Sequence, residues 1–152
     1  MILVHATCVD VGAAAVLLRG PSAAGKSDLA LRLIDGGARL VADDQVQLAA
    51  VRGELIASAP EQLSGKMEIR GLGIFDLDDN QLSPRARVAL AADLGPSADV
   101  ARLPHRTTCQ LDGVDIPLIT LAAFESSAPA KIRMALKSWS AAGRQTQALN
   151  DA

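Results

Sequence analysis

The segment GPSAAGKS, residues 20–27, constrains the fold of this chain more than any other stretch. It meets the spacing G-x-x-x-x-G-K-[ST] with Gly20, Gly25, Lys26 and Ser27, and it lies between the apolar run AAAVLL and the helix-like LALRLIDGG. Glycines let successive backbone N–H groups turn toward one anion, and a helix that starts there adds a favourable dipole. The pattern has this meaning only with a strand before it and a helix after it. Residues 13–19 supply a strand rich in Val, Leu and Ala, while Leu29, Ala30, Leu33 and Ile34 recur at helical spacing until Gly36 and Gly37. Gly20, Pro21, Ser22, Ala23, Ala24, Gly25, Lys26 and Ser27 therefore form a candidate phosphate site. Lys26 is placed to neutralise terminal phosphates, and Ser27 to hold magnesium.

Residues 2–11 and 13–19 read as two strands joined by a tight turn at Gly12. ARLVADDQVQLAAV, 38–51, reads as a strand that reaches two carboxylates and continues as a hairpin or a meander. Strand, loop, helix and strand make a βαβ unit, whose parallel strands end on one sheet edge. Asp43 and Asp44 are thus expected beside the phosphate loop. Neighbouring strand residues face opposite ways, so both carboxylates can serve only where the backbone turns. One then reaches the water shell of a metal, and the other faces an acceptor hydroxyl whose proton it takes.

Further along, GELIA and QLDGVDIPLITLAAF read as strands, the second with a DG turn and with Pro117 pushing it toward a sheet edge, and RARVALAADL reads as a strand with a helix as the alternative. MEIRGLGIFDLDD, interrupted by Gly71 and Gly73, reads as a flexible loop or a bulge. A helix is expected from Ser127 to Gly143, with Pro129 in its first turn and Met134, Leu136 and Trp139 suited to core packing.

With 152 residues and 49% hydrophobic content, the expectation is a single domain over 1–152. A formal charge of -2, 2% aromatics and no Tyr argue against a nucleic-acid partner. The N-terminus lacks a basic n-region, and no run approaches the roughly 18–20 apolar residues of a bilayer span. No membrane partner and a cytoplasmic location are expected. Cys8 and Cys109 show no metal-ligand spacing and read as buried reduced thiols.

VHATCVDV, GPSAAGKS, LVADDQV and MEIRGLGIFDL, in that order and spacing, resemble the C-terminal catalytic domain of HPr kinase/phosphorylase. With GVDIPLITL the resemblance covers most of residues 4–121, and EIRGLG is its most specific part, since ordinary P-loop kinases do not carry it. It implies an α/β P-loop fold of the HPr kinase and phosphoenolpyruvate carboxykinase type, a mixed sheet with flanking helices. The implied activity is phosphorylation of a serine of the phosphocarrier protein HPr with ATP and Mg2+, with pyrophosphate as another donor and reverse phosphorolysis as a further reaction. By position, Asp44 is the implied proton acceptor, with His5 orienting it. Ser27 and Glu68 are the implied magnesium ligands, with Asp43 supporting metal or phosphate geometry.

Arg102, in VARLP, matches the family's catalytic arginine, and Arg70 in the EIRGLG loop is placed to clamp phosphate through two hydrogen bonds. The resemblance is to short forms lacking an N-terminal domain, and it implies a hexamer. LAAFESSAPAKIRM does not reproduce the basic, glycine-containing loop that the family ties to dephosphorylation. With aromatics scarce, donor binding is expected to come chiefly from phosphates and metal. A small-molecule P-loop kinase and a non-catalytic nucleotide-binding module stand as the other readings, and the set Asp44, Glu68 and Ser27 favours turnover over binding alone.

Overall fold

The structure, a computed structural model, describes residues 1–141. β1 (Ile2–His5) and β2 (Thr7–Asp10) are separated at Ala6, so the strand expected over 2–11 is two strands in different parts of the sheet. β2 turns back into β3 (Ala15–Arg19), which runs into the glycine-rich loop, α1 (Lys26–Asp35) and β4 (Arg39–Ala42). The expected βαβ unit takes a modified form, because β2 pairs antiparallel with both β3 and β4 and lies between them. β3 and β4 still run the same way, so both end on the edge that carries the loop.

β5 (Gln45–Val51) and β6 (Glu54–Ser58) form a hairpin, and β5 pairs on its other side with β1. The centre of the sheet is β9 (Ala86–Leu94), which pairs parallel with β3 and with β11 (Val114–Leu121), and through its first residues antiparallel with β6. β10 (Thr107–Leu111) joins β11 through the turn at Asp112 and Gly113. Pro117 does not make β11 an edge strand: parallel pairing with β9 begins just beyond it, at Leu118, and β10 covers the other side. MEIRGLGIFD is likewise neither loop nor bulge. β7 (Lys66–Ile69) and β8 (Gly73–Asp76) form a separate two-stranded hairpin, with Gly71 at φ 88 in its turn.

Alternation along β3 divides the core. Val16 and Leu18 pack with Leu29, Leu33, Leu90 and Ile132 beneath the helices, whereas Ala15 and Leu17 pack with Val46, Leu48, Leu55 and Ile116 on the other face. A bulge lets both Ala89 and Leu90 join the helix side: Ala15 pairs with Val88, but Val16 pairs with Leu90. α2 (Ala128–Ala135) begins after Ser127 with Pro129 in its first turn and continues as a π-helical segment, Leu136–Ala141. Leu136 is buried and Trp139 packs on the core, while Met134 is exposed; the expected helix end at Gly143 lies outside the described residues.

Arg32 on α1 docks the end of β11. Its guanidinium donates to the carbonyls of Ala123 and Glu125 and pairs with Asp28 one turn earlier. Both cysteines are free thiols; burial pushes each pKa up, and Cys8 lies wholly inside the sheet while Cys109 is half-buried. Among the described residues no helix is long and apolar enough to cross a membrane.

Leu90 is fully buried on the central strand. Leu90→Ala should lower the unfolding free energy by about 2–5 kcal/mol, read as a lower urea midpoint with an unchanged slope.

Candidate active site

The loop after β3 is shaped by its glycines. Gly25 sits at φ 98 ahead of α1, and a Cβ there would lie 2.9 Å from Phe124 Cζ and 3.0 Å from Ala123 Cβ. No other residue fits that close approach. Lys26 is 8% exposed, and its Nζ donates to the carbonyl oxygens of Gly20 at 2.6 Å and Pro21 at 2.9 Å. The ammonium is thereby folded over the start of its own loop.

Two chain corners meet beside this loop. One is Ala6, between β1 and β2; the other is Asp43–Asp44, between β4 and β5. The Ala6 N–H donates to the Asp44 carbonyl at 3.2 Å, and the Gln45 N–H donates to the Asp43 carbonyl at 2.8 Å. The second bond closes a three-residue turn around Asp44 at φ 71, a left-handed conformation that a non-glycine residue adopts at a cost of order 1–3 kcal/mol. The corners bring His5 Nδ1 to 3.3 Å from Asp44 Oδ1, with both side chains more than half exposed. A proton on Nδ1 serves this contact whether the imidazole is neutral or charged, and it aims the carboxylate.

Asp43 faces the other way. It is 7% exposed, and its Oδ1 accepts hydrogen bonds from Thr7 Oγ1 at 3.0 Å and Ser27 Oγ at 2.8 Å. Its Oδ2 accepts from the Glu68 N–H at 3.2 Å. A buried carboxylate requires such compensation. Because Ser27 spends its only proton on Asp43, its oxygen lone pairs remain for a cation. Thr7 completes this set, yet nothing in the sequence distinguishes it from any other strand threonine.

These parts line one cleft of about 570 Å³, walled by His5, Thr7, the loop from Ser22 to Ser27, Asp44, and Glu68 to Gly73. Asp28 and Leu31 of α1 and Phe124 complete it. His5, Asp44, Lys26, Ser27, Glu68 and Arg70 all line this cleft. Asp43 stands behind the wall and reaches it through Ser27. Arg102 is not brought there: it is exposed on the connection between β9 and β10, away from the cleft lining. Leu31 and Phe124 have no sequence signal; helix register and the end of β11 put them there.

The HPr Serine kinase C-terminal domain family matches residues 1–132. The chain belongs to that family. It is 34% identical to the HPr kinase/phosphorylase of Exiguobacterium sp. over 131 residues, which is 80% of this chain and 42% of that protein. It is 36% identical to that of Limosilactobacillus reuteri over 127 residues, 77% of this chain and 39% of the relative. With the HPr kinase/phosphorylase of Clostridium tetani it shares 49% identity over 73 residues, 48% of this chain and 24% of the relative. The chain thus spans less than half the length of these curated relatives. In three dimensions it is similar to the Hpr(Ser) kinase/phosphatase from Coxiella burnetii, with a TM-score of 0.80 and 27% identity over 91% of this chain and 95% of that one. The fold is accordingly the mixed α/β arrangement of the HPr kinase family, with a curled sheet and few flanking helices.

Removing the Asp43 carboxylate strands two hydroxyls and one N–H. Asp43→Ala should cost about 2–4 kcal/mol of stability, and Asp43→Asn less, because an amide oxygen still accepts; urea unfolding of the two variants measures the difference.

Proposed function

We propose that this chain is an ATP-dependent serine kinase acting on HPr. The observation that carries the reading is a single cleft with Lys26 and Ser27 on one wall and Asp44, backed by His5, on another. The names of the relatives support the same choice of activity and acceptor.

Loop N–H groups and Lys26 bind the donor phosphates, and the transferring group meets positive charge placed in advance, which is how phosphoryl transfer is chiefly accelerated. Asp44 takes the proton of the incoming serine hydroxyl, and His5 holds that carboxylate in position. In reverse the same carboxyl returns a proton to the serine oxygen. Arg70, which lines the same cleft, clamps phosphate oxygens in this scheme. Magnesium fits the residues present. Among the described residues no three His, Cys, Asp or Glu side chains converge on one point. Ser27 and Glu68 would instead hold the ion together with phosphate oxygens and water, the mode this cation favours. When bound, magnesium draws charge from the phosphate oxygens. Asp43 serves by fixing the Ser27 hydroxyl rather than by direct ligation. Arg102 receives no step in this scheme.

A protein acceptor suits the mouth of the cleft better than a metabolite does. Asp44 is 65% exposed in its side chain, and Leu72 and Ile74 stand exposed at the rim. A kinase for small molecules encloses its acceptor, whereas this rim leaves room for a protein surface to bring a serine in. ATP as donor accords with a cytoplasmic location, and a hexameric assembly follows only from the family resemblance.

Incubation with HPr, ATP and magnesium should yield phosphoserine on HPr. Asp44→Asn should reduce the rate by about 10²–10⁴-fold while leaving ATP affinity nearly unchanged. Absence of phosphoserine with the unaltered chain across salt and metal conditions would refute the reading, and consumption of ATP by a sugar, shikimate or a nucleoside instead would replace HPr as acceptor.

A further inference from the structure

The cleft has a second end, on the far side of the phosphate loop from Asp44. β2 separates β3 from β4, and Asp44 follows β4. β9 lies on the other side of β3, and it pairs with β3 and β11 through overlapping residues, so those two strands occupy its opposite edges. All four strands β4, β3, β9 and β11 run the same way. The chain leaving β11 therefore emerges on the loop edge, two strands from β3 with β9 between, and the residue it presents there is Phe124.

Phe124 is 69% exposed, lines the cleft, and packs by the edge of its ring against Gly25. Its backbone is held on both sides. Arg32 donates to the carbonyl of Ala123 before it and of Glu125 after it, and the Glu125 carboxylate accepts from Ser97 and Lys131. These two bonds hold the Glu125 carboxyl below its usual pKa range. An aromatic ring with a fixed backbone and an open face in a cleft offers a flat surface on which a planar ligand group can stack. Leu31 on α1 also lines the cleft.

We infer that Phe124 is the platform on which the base of the nucleotide donor stacks. This rests on the phosphate-cleft reading above. In-line transfer requires the acceptor and the leaving diphosphate on opposite sides of the transferring group. With Asp44 on the β4 side, the nucleoside leaves toward β11, where the ring stands. Stacking tolerates any base, so the platform selects nucleotides over inorganic polyphosphate without choosing strongly among bases.

The test compares calorimetric binding of a non-hydrolysable ATP analogue and of inorganic pyrophosphate, both with magnesium, in the unaltered chain and three variants. Phe124→Ala should weaken the ATP analogue by about 5- to 100-fold and leave pyrophosphate within about twofold. Phe124→Leu should lie between, and Phe124→Trp should restore affinity and show fluorescence quenching with the analogue but not with pyrophosphate. Equal losses for both ligands in Phe124→Ala would overturn the inference, because the ring would then merely prop up Gly25. Pyrophosphate binding with no advantage for the analogue would overturn it while sparing the phosphate site. Failure of both ligands to bind the unaltered chain would remove the cleft reading and this inference together.

Discussion

The site depends on the carboxylate of Asp43. From a position almost out of solvent, it accepts hydrogen bonds from β2, from the first turn of α1 and from β7. Three elements distant in sequence thus converge on one charged group. A buried carboxylate without donors is strongly disfavoured, so the folded state that supplies all three is sharply preferred over packings that supply fewer. The β7–β8 hairpin shows the consequence. It is a two-stranded sheet of its own and among the described residues pairs with no other strand, so its place beside the glycine-rich loop owes much to Met67 in the core and to the Glu68 N–H on Asp43.

Adjacent aspartates divide the labour because the chain turns between them. In a continuing strand they would face opposite sides of the sheet. Instead, the tight turn with Asp44 in a left-handed conformation leaves one carboxylate inside as a structural acceptor and the other outside as a candidate base. The strain at Asp44 is offset by the Ala6 N–H, which the folded sheet brings to the Asp44 carbonyl, and by the Gln45 N–H on the Asp43 carbonyl, which closes the turn. His5 reaches Asp44 through the same junction, which makes the base and its orienting partner products of one corner.

The sheet order then sets a direction across the cleft: Asp44 follows β4, the glycine-rich loop follows β3, and Phe124 follows β11. Parallel strands bring all three to one edge although 80 residues separate Asp44 from Phe124.

Local chemistry was legible in the sequence. GPSAAGKS announced its strand, loop and helix because phosphate cradles need glycine and a helix start at set spacing, and the order of GPSAAGKS, LVADDQV and MEIRGLGIFDL pointed to the HPr kinase family. The break at Ala6, the insertion of β2 between β3 and β4, and the hairpin formed by MEIRGLGIFD were not legible, because apolar alternation marks a strand without naming its neighbour. Nor did the sequence mark Thr7, Leu31 or Phe124, or keep Arg102 out of the cleft. What the residues alone determined was the chemistry on offer: an anion loop, a pair of carboxylates and a glycine-bearing acidic segment. Which carboxylate is buried, which faces the cleft and which aromatic lines it were decided only by tertiary structure, since burial and side-chain direction arise from contacts between segments that local sequence does not encode.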